Sequence, residues 1–431
     1  ADHNFFTVGF THHRCYRNKA TPRYIIMGRS GVELLNMQTG EARANHWTRG
    51  ACQYGVMPAN GMIYTPPHPC ACYIRSKLTG FNALAPRKNE RAAAAQKLDL
   101  PRLRRGPAYG ESGGEPAESG EWPTYRQDAA RSGRAGCTVP TNLDRAWTAE
   151  LGETPSAPVI AGGSVYVTTP EDYRLHCLDA ETGREKWSYI AGGRIDSPPT
   201  VYRGKVLFGS ADGRVYCLRA SDGALAWTYR AAPKARRIVD FNRLESSWPV
   251  HGSVLVQDGV AYFAAGRCSY LDQGIYLYGL DPKTGKKLFR TRIYSRDPET
   301  GLEPQDRVRG VSMPGALPDI LSRDGSSIFM RHNRFSPDGE ELKQNVPHVY
   351  SSAGFLDDTW WHRSYWQYGT RMGTGYGGWL NAGNKRISGR ILVRDGKDFY
   401  GYGRESYGHH GTHIGIDGQH YRLFAARSKD D

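Results

Sequence analysis

The sequence predicts an all-β chain: a β-propeller of seven four-stranded blades, with eight as the alternative. Three observations carry that reading: a unit of about forty residues recurs, glycine, proline and aromatic residues are abundant, and nothing reads as a long helix. The repeat is clearest where SAPVIAGGSVYV and LHCLDAETGREKW, between Ser156 and Trp187, are echoed by SPPTVYRGKVLFGSADGRVYCLRASDGALAW, from Ser197 to Trp227. Cys177 and Cys217 stand 40 residues apart, as do Gly183 and Gly223, and Trp187 and Trp227. Each unit is an alternating strand, a glycine turn, a second strand, and a tight turn (LDAETG or LRASDG) into a strand carrying Trp. One such unit leaves a sheet face bare, whereas stacking units around a ring covers both faces and leaves only short edges.

Ahead of the clear pair, residues 23–47, with a turn at Gln38-Thr39-Gly40, and residues 54–86 are predicted as two blades. Residues 252–289 and 319–342 repeat the pattern after it, and a last blade is expected between 354–366 and 389–404. Residues 87–121 are rich in Arg, Ala, Glu and Gly and lack period-two alternation, which predicts an inserted loop or strap with a short helix at 89–98. The chain 1–431 thus reads as a single propeller domain carrying one insertion. YRLFAA (421–426) is expected to pair with FFTVGF (5–10) in one blade, so that the termini close the ring.

Lys and Arg outnumber Asp and Glu by 57 to 43, and the net charge of +14 gives a field that attracts anions. No zinc finger, recognition helix or Arg-rich block with interleaved aromatics is present, so nucleic acid is not an expected partner. No apolar run reaches the ~20 residues of a membrane-crossing helix. Eight Cys are too few for a disulfide scaffold of this length but enough for local staples or a metal. Cys177 and Cys217 share one apolar slot in successive blades and read as core thiols. Cys15, Cys52, His68, Cys70 and Cys72 gather towards the N-terminus, where thiolate and imidazole suit a tetrahedral structural zinc ion. Disulfides such as Cys52–Cys70 or Cys15–Cys72 are the competing reading, and both stay open.

The pattern SAPV, VYV and L-x-C-LDA-x-TG-x-x-x-W, preceded by WPTYRQDAARSG at 122–133, resembles the pyrroloquinoline-quinone-like repeat family. HHRCYRNKAT, RGACQYG and PPHPCACY are similar to segments of large secreted bacterial propeller proteins of that class. The resemblance implies a propeller over nearly the whole chain and leaves the activity open, because quinoprotein dehydrogenases, outer-membrane assembly scaffolds and polysaccharide-active enzymes share the architecture. A dehydrogenase would imply the quinone, a calcium ion and adjacent cysteines facing it. Only Cys70-Ala71-Cys72 approaches that pattern, so no quinone is expected. The expected location is secreted or periplasmic.

Propeller ligands sit at the mouth of the central channel. Aligning the repeats puts His251 where earlier blades have Asp196 and Pro155, at the start of an inner strand, with Trp248 beside it as a sugar-stacking wall. A histidine packed between blades is the competing reading. The run Asp357-Asp358-Thr359-Trp360-Trp361-His362-Arg363-Ser364-Tyr365-Trp366 is the densest collection of aromatic and ionisable groups. If extended, it puts Trp361, Arg363 and Tyr365 on one face and Trp360, His362 and Trp366 on the other. The most concrete expectation is a lyase that cleaves an acidic, uronate-containing polysaccharide or oligosaccharide by β-elimination. Arg363 would neutralise the carboxylate, His251 or His362 take the proton, and Tyr365 protonate the leaving oxygen. Trp248, Trp360, Trp361, Asp357 and Asp358 would hold the sugar, and a hydrolase using the two aspartates is the variant. A non-catalytic binding or assembly scaffold is the alternative.

Overall fold

A computed structural model describes residues 17–28, 31–67, 72–78, 80–86, 101–111, 113–152, 154–240, 242–304, 313–356, 366–370, 386–404 and 421–429. These residues form antiparallel sheets, and the regular helix among them is a single 3-10 turn, Pro170–Asp172. In chain order the sheets are Lys19–Ala20 to Ala42–Asn45 (first), Met57–Ala59 to Asn82–Leu84 (second), Val159–Ala161 to Glu185–Ile190 (third), and Thr200–Tyr202 to Leu225–Arg230 (fourth). They continue as Leu255–Gln257 to Lys287–Ile293 (fifth), Leu321–Asp324 to Glu341–Leu342 (sixth), His348–Ser351 to Ser388–Gly389 (seventh), and Ile391–Asp395 to Tyr421–Arg427 (eighth). A hairpin, Arg237–Asp240 with Arg243–Ser246, stands apart between the fourth and fifth.

The repeat folds as its alternation dictates. In the third sheet Cys177 lies opposite Tyr166 and Trp187, and in the fourth Cys217 lies opposite Leu207 and Trp227. Both sheets carry a bulge immediately after that cysteine, and the fifth has one at the matching place, after Gly279. Cys177 and Cys217 are fully buried, and burial pushes both thiols up, Cys217 to about 12. They are packing residues. The tight turns close on side chains: Asp179 Oδ1 accepts from the backbone N–H groups of Glu181 and Thr182.

The third, fourth and fifth sheets each receive a docked indole from the chain that precedes them. Trp147 Nε1 donates to Ala180 O at 3.0 Å, Trp187 to Ala220 O at 2.9 Å and Trp227 to Pro282 O at 3.1 Å. Each ring therefore seats on the tight turn of the following sheet. Gly223 has φ +73°, and a Cβ there would lie 2.6 Å from the Trp187 ring, so both the turn and the docking require glycine. Apolar clusters continue the series from sheet to sheet: Val159, Tyr166 and Phe208 join third to fourth, and Trp227, Val254 and Phe263 join fourth to fifth. Leu255, Leu277, Leu321 and Met330 join fifth to sixth, and Val349, Trp366, Leu392 and Phe399 join seventh to eighth. Between sixth and seventh, Phe329 stacks on His348 at 3.7 Å. Sheets stacked in chain order by their faces are the β-propeller arrangement.

Several expectations are refined by packing. The described part of the inserted segment is a strap: Leu103–Arg105 adds a fifth strand to the fourth sheet by pairing with Leu225–Arg230, and Gly114 N bonds Arg203 O at the sheet's opposite edge. The helix expected at 89–98 lies outside the described residues. The closing segment expected as one blade is divided between the seventh and eighth sheets. Tyr421–Arg427 pairs with Asp398–Arg404, while its expected partner at 5–10 lies outside the described residues. The first two sheets pack on the loops that leave the fifth sheet: His46 Nδ1 meets Glu303 Oε2 at 2.6 Å, and Cys72, Tyr73, Cys268, Tyr270 and Met313 form one buried cluster.

Candidate functional site

Three loops that lead into inner strands bring charge to the propeller axis. Arg194 and Asp196 precede Thr200–Tyr202, His251 precedes Leu255–Gln257, and Asp319 precedes Leu321–Asp324. Asp196 is held from two sides: Arg194 Nη2 donates to Oδ1 at 2.5 Å, and His251 Nδ1 to Oδ2 at 2.6 Å. Arg331, at the turn after Ser327–Met330, donates to Asp319 Oδ2 at 3.1 Å. Glu245, from the hairpin, lies 3.6 Å from Arg194 Nη1, and neither carboxylate oxygen has a hydrogen bond among the described residues. All six side chains are buried or nearly so.

Burial in this layer opposes charge, and the outcome differs from group to group. For Asp196 burial raises the carboxyl, yet His251 and then Arg194 outweigh it and hold it below the ordinary value. Burial lowers the His251 imidazolium, yet Asp196, followed by Glu245 and Asp319, carries it above the ordinary histidine value. Glu245 has Arg194 at 3.6 Å but no hydrogen bond among the described residues, and burial outweighs the pull of His251 and Arg194 and pushes it up to about 7.

Beside this layer the axis is filled by the segment 122–134. Trp122 pairs with Ile160 of the third sheet, Val201 N of the fourth donates to Pro123 O, Arg323 N of the sixth to Ala129 O, and Arg394 N of the eighth to Ser132 O. The segment thus satisfies backbone groups on the inner strands of four sheets, groups that would otherwise face one another across a void. Arg131 is fully buried within it, donating to Leu321 O at 2.9 Å, Tyr125 O at 2.7 Å and Thr124 Oγ1 at 3.0 Å.

Over the charged layer lies a cavity of about 2190 Å³. One wall comes from the first two sheets and their connections, with Arg43, Trp47 and Phe81. The other comes from the propeller loops, with Arg237, Trp248, His251 and Arg296. His251 reaches it with Nδ1 already committed to Asp196, which leaves Nε2 for a ligand.

Among the residues singled out from the sequence, His251 and Trp248 meet at this cavity. His362, Tyr365, Arg363, Trp360, Trp361, Asp357 and Asp358 lie outside the described residues, as do Cys15, His68 and Cys70. Cys52 is exposed, and Cys72 is buried against Tyr73 and Tyr270. No three His, Cys, Asp or Glu side chains among the described residues converge on a point that could hold a metal ion, and the carboxylates at the mouth are engaged by Arg194, Arg331 and His251. Sequence reasoning missed Arg194, Glu245, Asp319 and Arg331. Asp196 carried a signal, since it aligns with His251 in the repeat.

A family model described as outer membrane protein assembly factor BamB matches residues 130–316. No curated protein matches the chain. Among solved structures it is similar to BamB from Moraxella catarrhalis, at 16% identity, over 91% of this chain and 94% of that one, with a TM-score of 0.35. It is also similar to a quinohemoprotein alcohol dehydrogenase from Pseudomonas putida HK5, at 18% identity and a TM-score of 0.38, over 55% of this chain and 42% of that one. A europium-containing methanol dehydrogenase matches at 15% identity over 59% of this chain and 57% of that one, with a TM-score of 0.39. The chain therefore spans less than half of the Pseudomonas enzyme. With the 40-residue repeat and the docked tryptophans, the chain is a β-propeller whose residues 130–316 are similar to the pyrroloquinoline-quinone-like repeat family.

Proposed function

We propose that this chain is an extracytoplasmic binding or assembly propeller that holds a partner without transforming it. The observation that carries this reading is the match of residues 130–316 to a family described as an outer membrane protein assembly factor. That description also supports the location, and no helix among the described residues is long and apolar enough to cross a membrane.

The geometry agrees. Elimination from a uronate needs a neutral base, and His251 is paired with Asp196 and shifted towards its protonated form. An imidazolium held in this way donates a hydrogen bond and offers positive charge, which suits binding better than proton abstraction.

Two measurements test the proposal. Incubation with a panel of uronate-containing polysaccharides, followed by absorbance of the unsaturated product and by reducing ends, should give no product. Source cells lacking the chain should contain less β-barrel protein in the outer membrane, restored by the wild-type chain. A new double bond on any substrate, or an unchanged outer membrane, would overturn the assignment.

A further inference from the structure

The cavity between the first two sheets and the propeller mouth has properties that a scaffold does not require. Typical small-molecule pockets enclose roughly 300–1,000 Å³. At about 2190 Å³ this one has room for an oligomer. Among the described residues eight lysines and arginines line it against four acids. Three of those acids are already neutralised from within: Asp272 by Arg236 and Arg267, Glu303 by Arg296, and Asp319 by Arg331. Lys234 and Arg237, also in the wall, make no ion pair among the described residues. The surplus charge is therefore positive and faces the cavity.

Two tryptophans sharpen the chemistry. Trp47, beside the first sheet, and Trp248, from the propeller, both line the cavity, and the indole N–H of each is buried without a hydrogen-bond partner among the described residues. Trp248 is only 2% exposed. A buried donor left unpaired costs about 1–3 kcal/mol, so two of them in one cavity mark places where a ligand supplies acceptors. The side chains on offer are thus mostly donors. A polypeptide would bring backbone N–H groups that need acceptors here, whereas the carboxylates and rotatable hydroxyls of a uronate chain can accept at every residue.

We propose that this cavity binds an acidic oligosaccharide, with one wall supplied by the N-terminal sheets and the other by the propeller mouth. The proposal goes beyond the assembly role and stands or falls separately from it, because it concerns binding by the purified chain alone.

The test is titration of the purified chain with hexameric oligogalacturonate, read by indole emission and by calorimetry. Saturable one-to-one binding that weakens as salt is raised is expected. Arg237→Ser, at an exposed position, should weaken it about tenfold, as loss of a charge-assisted hydrogen bond does. Trp248→Phe should weaken it several-fold in a chain that circular dichroism shows to be folded at the titration temperature. Arg427→Ser, which breaks an exposed pair with Asp398 away from the cavity, should leave affinity unaltered. Absence of saturable binding would overturn the proposal, and so would affinity insensitive to both cavity variants. Equal binding of poly-glutamate would reassign the cavity to an acidic polypeptide.

Discussion

Glu245 shows how one buried carboxyl turns position into a pH response. Its ordinary value is 4.5 and in the folded chain it titrates near 7, because burial disfavours the charged form. The folded state thus keeps a proton that the unfolded chain gives up, so this contribution to stability is full below pH 4.5 and is lost as the pH rises towards 7. The raised His251 adds a loss of the same sign above pH 6.5, and the lowered Asp196 acts in the opposite sense, losing its contribution as the pH falls below 3.8. Glu245→Gln should therefore gain on wild type between pH 4.5 and 7, by about 1–3 kcal/mol across the window, in denaturant melts at matched ionic strength. Parallel profiles would mean that Glu245 is ionised throughout. His251 was legible in the sequence because the repeat alignment placed it at the start of an inner strand. Glu245 was not, since it comes from a hairpin outside the repeat and reaches Arg194 only through folding.

The blade is the element in which sequence and structure agree most closely, and the agreement rests on its turn. Gly223 meets two demands at once, a left-handed backbone at φ +73° and an indole 2.6 Å from the missing Cβ. Gly259, in the hairpin turn between Leu255–Gln257 and Val260–Ala265, has φ +75° with nothing within 4 Å. The two separate backbone strain from docking. Gly259→Ala should cost about 1–2 kcal/mol, the strain alone. Gly223→Ala should cost about 1–3 kcal/mol more, because the Trp187 ring must shift off its turn. Equal losses in thermal melts would mean that the docked ring contributes little. The strap is the contrasting element: 87–121 was expected as a loop or strap from composition, but nothing in LRR marks Leu103–Arg105 as a strand. Its extended form follows from the open edge of Leu225–Arg230, which it covers.

At the scale of the molecule the segment 122–134 ties the ring together. Arg131 sits at the centre of that tie, fully buried, donating to carbonyl groups that have no water to turn to. Arg131→Ala should cost about 3 kcal/mol through the cavity and the orphaned acceptors together, and should lower one cooperative transition. A separate early transition would mean that the segment is not part of the cooperative unit. The chain's own pattern determined the all-β class, the 40-residue period, the turn glycines, the core cysteines and the tryptophans of the blades. These are consequences of strand alternation and turn chemistry within a few residues. Tertiary structure alone decided that WPTYRQDAARSG crosses the axis, that the first two sheets rest against the propeller loops, and that Arg194, Asp196, Glu245, His251, Asp319 and Arg331 share one layer. His251 meets Asp196 across 55 residues and His46 meets Glu303 across 257. Such meetings are set by the stacking of whole sheets around an axis, which brings together loops whose local sequences carry no mark of each other.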